Sequence, residues 1–373
     1  MATKASGKQK SKKWAMLAYI AGDNNLSDAG LADIQEMCEV GASRDVWAAV
    51  EIDTYGEHTG SIRYEISEPD PWGEAHRIVI QRLAEKDSGD PETLRSFVKW
   101  GLRRYPARSR VLVVWNHGSG FRSVRRDIGY DDFGSSMDMP ELEKALQRAG
   151  VGPKKRIDIL GFDACLMNMI EVVHHFRELA RIVVGSQQTE PGDGWPYDLV
   201  LGEAKKGPER RELARRIVET YIASYRAQGT FDVTQSAIDV AKTDAAVRRL
   251  HALGDALADD FEASGGVVEA VRTSVQVFEM ADYVDLVQLA EAVASAVVAP
   301  RVCKAATALS GAARKCVLAN GRLGGGVAHA NGLSVWFPAD GDTYLRHRAK
   351  YLRLRCNAGP NPGWVRFLDR FHG

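Results

Sequence analysis

Three apolar runs of this sequence are each followed closely by side chains that can do chemistry. The runs are RVLVVW (110–115), RIDILGF (156–162) and RIVVGSQ (181–187). The residues that follow them are His117 and Gly118, then Asp163 and Cys165, and finally Asp193 in a Gly-Asp-Gly-Trp segment. If the runs are parallel strands of one sheet, their carboxyl ends meet at the same edge. A histidine, a cysteine and two carboxylates would then converge there.

A cysteine and a histidine on neighbouring loops are the minimum for thiol catalysis. The thiolate attacks, and a nearby imidazole lowers the thiol pKa or accepts its proton. We therefore predict Cys165 as a nucleophile and His117 as its partner, with the amides of Gly118 and Cys165 as candidate oxyanion donors. A helix predicted over 167–179 would place its positive end beside Cys165. A lone cysteine is more often a small buried hydrophobe, but the conjunction with His117 favours catalysis.

The apolar runs and the patterns between them predict a mainly parallel sheet covered by helices. Further strand-like runs are 14–21, 46–53 and 76–83, and 60–67 is predicted as part of a hairpin beside the sheet. Helical patterns lie over 28–40, 90–104, 140–149 and 167–179. Several runs are rich in Val and Ile and apolar on both faces, which is typical of strands covered on two sides. The alternation of strands and helices indicates an α/β fold.

Helices dominate the last part of the chain, over 208–227, 243–262 and 283–298. Two strand-like runs, 232–240 and 331–338, are predicted to join the sheet or to pair with each other. These changes in pattern suggest three parts. They are a disordered basic tail (1–13), an α/β core (14–240) and a helix-rich C-terminal subdomain (241–373) that contributes further strands.

Composition excludes several classes of function. The 373 residues contain 49 Lys and Arg and 49 Asp and Glu, so the chain has no net charge to attract nucleic acid or an anionic membrane. No apolar run approaches the ~20 residues that span a bilayer. Five scattered cysteines without Cys-x-x-Cys spacing indicate neither a disulfide framework nor a structural zinc site. We expect a cytoplasmic protein by default, with secretion as the alternative and the oligomeric state open.

Six segments, in order along the chain, resemble the clostripain family of cysteine peptidases. They are YIAGDNNL (19–26), VVWNHGSGF (113–121), LGFDACLMNMIEV (160–172), GSQQTEPGDGWPY (185–197), QSAIDV (235–240) and GLSVWFP (332–338). The resemblance implies a caspase-like α/β sandwich of three layers. It also implies a Cys–His dyad without an obligatory third member and endopeptidase activity after basic residues.

The resemblance also assigns roles to individual residues. Cys165 matches the nucleophile and His117 the catalytic histidine, while Asp163 and Asp193 match the acidic residues that line the pocket for a basic side chain. Two carboxylates suit a guanidinium, which needs charge-assisted acceptors in a partly desolvated pocket. The alternatives are a helix N-cap for Asp163 and a turn-forming role for Asp193.

The segment between the histidine and the cysteine carries two further expectations. Some members of the family are cut between these two motifs, and Arg125 and Arg126 are the predicted points of self-cleavage. The alternative is an exposed loop with solvated arginines. Some members depend on calcium, and oxygen ligands are available from Asp127, Asp131 and Asp132. Their spacing matches no calcium-loop motif, so we assign no metal and no cofactor.

The sequence therefore predicts a cysteine endopeptidase that cuts after Arg or Lys through a thioester intermediate. Its expected partners are polypeptides with a basic residue before the scissile bond, and neither nucleic acid nor a membrane is expected. Two alternatives stay open. One is a non-catalytic binder of basic peptide segments, and the other is a thiol transacylase or amidase that uses the same dyad.

Overall fold

A computed structural model describes residues 10–55, 60–122, 135–229 and 232–373. Its strands are β1 (Lys12–Gly22), β2 (Val46–Thr54), β3 (Ile62–Ile66), β4 (Arg77–Arg82), β5 (Ala107–Trp115), β6 (Ile157–Asp163), β7 (Ala180–Gly185), β8 (Val233–Asp239), β9 (Tyr283–Asp285), β10 (Val317–Leu323) and β11 (Ser334–Trp336). Its α-helices before β8 are α1 (Ser27–Val40), α2 (Pro91–Arg104), α3 (Met139–Arg148), α4 (Ile170–His175), α5 (Tyr197–Lys205) and α6 (Arg210–Gln228). Those after β8 are α7 (Thr243–Asp259), α8 (Phe261–Ser274), α9 (Leu286–Ala296), α10 (Pro300–Cys316), α11 (Gly341–Leu352) and α12 (Gly363–His372).

Among these residues, a nine-stranded sheet forms the centre of the fold, in the order β10-β8-β7-β6-β5-β1-β2-β3-β4. The five central strands, β7, β6, β5, β1 and β2, are parallel to one another. Antiparallel pairs extend the sheet on both sides, through β8 and β10 on one side and through β3 and β4 on the other. The prediction of a mostly parallel sheet flanked by helices, with a helix-rich C-terminal region, is confirmed.

Side chains of β1 alternate between two hydrophobic cores, because successive residues of a strand point to opposite faces. Leu17 and Tyr19 join a core on one face, whereas Met16 and Ile20 join a core on the other. Helices α1, α5 and α6 cover the second face, and α2, α3 and the C-terminal helices cover the first. The result is the expected sandwich of three layers, with both faces of the sheet buried.

Several elements differ from the expectations in position or extent. The first strand begins at Lys12, so Lys12 and Lys13 belong to the sheet and not to a disordered tail. The 60–67 run pairs with both β2 and β4 inside the main sheet. The 331–338 run supplies β11, which pairs with β9 in a separate two-stranded sheet. The C-terminal contribution to the main sheet comes instead from β10, which the sequence analysis missed.

Candidate active site

The His117 and Cys165 loops leave neighbouring strands at the same edge of the sheet. Strands β5 and β6 are parallel, and their register pairs Trp115 with Asp163. The amide of Asn116 then donates to the carbonyl of Asp163 at 3.2 Å, which extends the pairing into both loops. The predicted convergence of the two loops is therefore present in the fold.

Gly118 brings the histidine loop into contact with the backbone of Cys165. A Cβ atom built on Gly118 would lie 2.5 Å from the carbonyl oxygen of Cys165 and 3.0 Å from its amide nitrogen. Such an approach is open only to glycine, because it has no side chain at this point. The glycine after His117 thus explains how the two loops pack side by side.

The thiol of Cys165 is part-buried and is approached by backbone amides. The amide of Glu190 donates to Sγ at 3.3 Å. Burial raises the pKa of the Cys165 thiol, while backbone hydrogen bonds from Glu190, Cys165 and Gly118 act in the opposite direction. Because burial prevails, the thiol needs a base to become a nucleophile at neutral pH. The amides of Gly118 and Cys165 are directed at Sγ, and their role as oxyanion donors stays a prediction.

The chain after Cys165 is not the helix that the sequence predicts over 167–179. The helix α4 covers only Ile170–His175, so it begins five residues after Cys165 and not directly beside it. Leu166 has a φ of 65°, a conformation that costs energy for a residue with a side chain. The amide of Leu166 donates to the carbonyl of Gln188 at 3.1 Å. The cysteine loop is therefore fixed by the loop after β7 and not by a helix.

His117 is oriented by a residue from the loop after β1. Its Nε2 atom lies 2.8 Å from Oδ1 of Asn25, so the ring donates its Nε2 proton to this amide oxygen. The other ring nitrogen, Nδ1, is then left as the basic one. In this arrangement Asn25 sets both the ring plane and the tautomer of His117.

Replacing Asn25 by alanine is expected to lower kcat/KM for a peptide substrate about tenfold, the equivalent of one hydrogen bond. Because Asn25 is exposed, its replacement should leave the stability of the fold unchanged. Asn25→Asp keeps an oxygen acceptor and should retain most of the activity. Steady-state kinetics with thermal melting would check both variants, and equal losses in the two would contradict an orienting role.

Asp163 belongs to a cluster of buried acidic residues next to the thiol. It is 4% exposed, and its Oδ2 atom accepts hydrogen bonds from the Tyr197 hydroxyl at 2.8 Å and from the Trp195 amide at 3.2 Å. Burial raises the pKa of Asp163, while hydrogen bonds from Glu190 and Tyr197 act in the opposite direction. The carboxyl is thus held by the turn after β7 and by the start of α5, and it is not a helix N-cap.

Three further carboxyl groups belong to the same acidic cluster, and no sequence pattern marked them. Burial and the charge of Asp163 raise the pKa of Asp33 to about 10. Burial raises the pKa of Glu36, on the same helix α1, to about 7. Burial and the charge of Asp163 also raise the pKa of Glu190 well above its usual range. Glu190 stood inside a segment that carried the family resemblance, but nothing in the segment marked it.

Asp193 lies at the exposed edge of this acidic cluster. The residue is exposed, in the turn that Gly194 closes with a φ of 55°. Burial is the largest cause of the raised pKa values of Asp33 and Tyr225. The charge of Asp193 is one of the smaller contributions to both. The structure thus brings Asp163 together with Glu190, and the role of Asp193 in substrate binding stays a prediction.

The profile of one protein family, described as the Clostripain family, matches residues 18–354. This chain belongs to the clostripain family. Clostripain from Hathewaya histolytica is 26% identical over 326 residues, which cover 73% of this chain and 61% of clostripain. The chain therefore spans less than two thirds of the length of that relative.

Two solved members of the clostripain family share the fold. One is a secreted C11 cysteine protease from Bacteroides thetaiotaomicron in complex with an irreversible peptide inhibitor, with a TM-score of 0.71, 21% identity and coverage of 91% of this chain and 98% of that one. The other is an inactive zymogen C11 protease from Parabacteroides distasonis, with a TM-score of 0.75, 19% identity and coverage of 93% and 98%. These likenesses support the caspase-like sandwich that the sequence implied.

The predicted cleavage points and calcium ligands lie in a part of the chain that the structure does not describe. This applies to Arg125 and Arg126, and to the acidic residues Asp127, Asp131 and Asp132. Within the described ranges, three potential metal ligands lie within 4.8 Å of one another in an exposed turn, namely Asp70, Glu74 and His76. Exposed acidic groups of this kind are common, so we assign no metal to them. In the same ranges, every helix is too short or too polar to cross a membrane.

Proposed function

We propose that this member of the clostripain family is a cysteine endopeptidase that hydrolyses peptide bonds after Arg or Lys. The observation that carries the proposal is the contact between the Gly118 and Cys165 backbones, with amides directed at Sγ, beside a buried acidic pocket. A nucleophile, a base on the adjacent loop and oxyanion donors are the parts that acyl transfer requires. Family membership supports the same class of reaction.

In the proposed mechanism, His117 accepts the proton of Cys165, and the sulfur attacks the carbonyl carbon of the substrate. The electron pair of the carbonyl moves to oxygen, where the amides of Gly118 and Cys165 stabilise it. Collapse of this intermediate breaks the C–N bond, and the imidazolium gives its proton to the leaving amine. Water then attacks the thioester, with His117 again as the base, and releases the thiol.

The proposed preference for a basic residue rests on the charge of the pocket. Asp163 and Glu190 lie within it, and Asp193 lies at its rim. Carboxylates provide charge-assisted acceptors for a guanidinium or an ammonium group. Self-cleavage at Arg125 or Arg126 would follow from the same preference and stays a prediction from the sequence.

An arginine-based acyloxymethyl ketone peptide is expected to alkylate Cys165, because the reagent needs both a nucleophilic thiol and a pocket for its cation. A matched reagent with citrulline, which is an uncharged isostere of arginine, should react at least about tenfold more slowly. Intact mass and peptide mapping would locate the adduct. An adduct on another cysteine, or none, would contradict the proposal. A pure binder would not be alkylated, and product analysis would separate hydrolysis from transacylation.

A further inference from the structure

Glu190 connects the proposed nucleophile to the buried carboxyl of the pocket. Its amide donates to Sγ of Cys165 at 3.3 Å, and its side chain is a hydrogen-bond neighbour of Asp163. The Oε1 atom of Glu190 accepts from Nε2 of Gln235 at 3.4 Å. Its Oε2 atom is buried, and no donor group reaches it among the described residues. Two carboxylates can share a hydrogen bond only if one of them carries a proton.

A second buried acceptor faces the same pocket from helix α1. Asp33 is 2% exposed, and its Oδ2 atom has no hydrogen-bond donor within the described part of the chain. Its electrostatic neighbours include Asp163 and Glu36. Glu190 and Asp33 thus each have one buried carboxylate oxygen without a donor among the described residues. A guanidinium supplies five N–H donors and a positive charge, which is the complement of this arrangement.

We propose that Glu190 is a specificity-determining residue. In the free enzyme, Glu190 and Asp163 hold one proton between them. The cationic side chain of the substrate takes the place of that proton. This inference rests on the proposed function. The proton leaves to solvent as the cation enters. The pair thereby changes from a charge of −1 to −2, and the cation contributes +1, so the total charge of the site is conserved.

Titratable groups surround the pair from several elements. They are Asp33 and Glu36 on α1, Cys165, Asp193, Tyr197 on α5, and Tyr221 and Tyr225 on α6. None of these groups is a cation, and burial raises the pKa of Glu190 well above its ordinary value. Because cation binding releases a proton, it becomes more favourable as the pH rises, until the pair loses the proton without a substrate. An uncharged substrate releases no proton and lacks this dependence.

The glutamine variant tests the role of Glu190. Wild-type enzyme should prefer an arginyl over a citrullyl coumarin peptide, and the ratio of their kcat/KM values should rise between about pH 6 and 8. In Glu190→Gln the ratio should fall at least about tenfold and lose its pH dependence. The glutamine amide can donate to Asp163, so the variant should fold. Asp193→Asn, at the exposed rim, is the matched comparison and should keep the pH dependence.

A calorimetric measurement on the wild type avoids any effect of the substitution on folding. n-Butylguanidine, whose only charged group is the guanidinium, is titrated in two buffers of different ionisation enthalpy, and about one proton should be released for each n-butylguanidine bound. Binding without proton release, or an arginine preference in Glu190→Gln equal to that of the wild type, would overturn the role of Glu190. If wild-type enzyme cleaves neither peptide but releases a proton on binding n-butylguanidine, the failure lies with the proposed function and not with this pocket.

Discussion

Cys165→Ala is expected to abolish turnover of an arginyl coumarin peptide, with a loss in kcat of at least about 10⁴-fold. The amides of Gly118 and Glu190 converge on this sulfur, and alanine leaves nothing there to attack the carbonyl. The fold should survive, because the residue is part-buried and the loss of one sulfur atom costs on the order of 1 kcal/mol. Thermal melting would then shift by no more than about 4 °C.

A matched control is available on the C-terminal side of the chain. Cys303, on helix α10, is also free and part-buried, and its thiol donates to the carbonyl of Val297 at 2.8 Å. Cys303→Ala removes the same atom and should keep full activity. Progress curves with both variants at equal concentration would show the contrast. Measurable turnover by Cys165→Ala, or equal losses in the two variants, would remove Cys165 from the mechanism.

The meeting of the two loops could be predicted from the sequence because its causes are local. Runs of Val and Ile define β5 and β6, and parallel strands place their carboxyl ends at one edge. The loops that carry His117 and Cys165 are then expected side by side without any knowledge of the helices. The glycine at 118 completes the signal, since it permits the close approach that the structure contains.

The short helix α4 could not be predicted because distant contacts override a helical pattern. Asn168, inside the predicted helix, donates through its side chain to the carbonyls of Gly185 at 2.8 Å and Ser236 at 2.9 Å. These partners lie on β7 and β8, so the chain stays irregular until it has passed them. Periodicity reports the local preference of the backbone and contains no information about such partners.

The acidic cluster beside the thiol could be predicted only partly in composition, and its role in substrate binding stays a prediction. Asp33 precedes Ile34 on an amphipathic helix, where a carboxylate normally faces solvent. In the structure this part of α1 packs over the end of the sheet, and the carboxyl is buried beside Asp163. Glu190 and Asp193 lie three residues apart in one turn. Glu190 points inward to Gln235 whereas Asp193 is exposed, and this difference depends on the folded conformation of the turn.

Under the proposed function, one residue connects catalysis and substrate selection in this site. The backbone of Glu190 contacts the thiol, and its side chain contacts the carboxyl that a cation would meet. Binding of a basic side chain therefore acts on a residue that touches the nucleophile directly. Such coupling is expected to appear in kcat as well as in KM when the cation is removed from a substrate.

The largest effect expected from a change outside the dyad is that of Gly118→Ala. The new methyl group would lie 2.5 Å from the carbonyl oxygen of Cys165 and 2.9 Å from Cβ of Ala164, so one of the two loops must move. A displacement of about 1 Å misplaces the imidazole and an oxyanion donor together. We expect kcat to fall about 10²- to 10³-fold with a smaller change in KM.

Gly152→Ala is the matched control, because a methyl group there meets no atom within 4 Å and the residue lies in the loop before β6. It should keep the wild-type kcat, whereas Gly118→Ala should lose activity while remaining folded by circular dichroism. Alkylation of Cys165 by iodoacetamide, followed by mass spectrometry, would show whether the displaced loop still activates the thiol. Wild-type kcat in Gly118→Ala would mean that close contact between the two loops is not needed for catalysis, and the geometric basis of the proposed mechanism would fail.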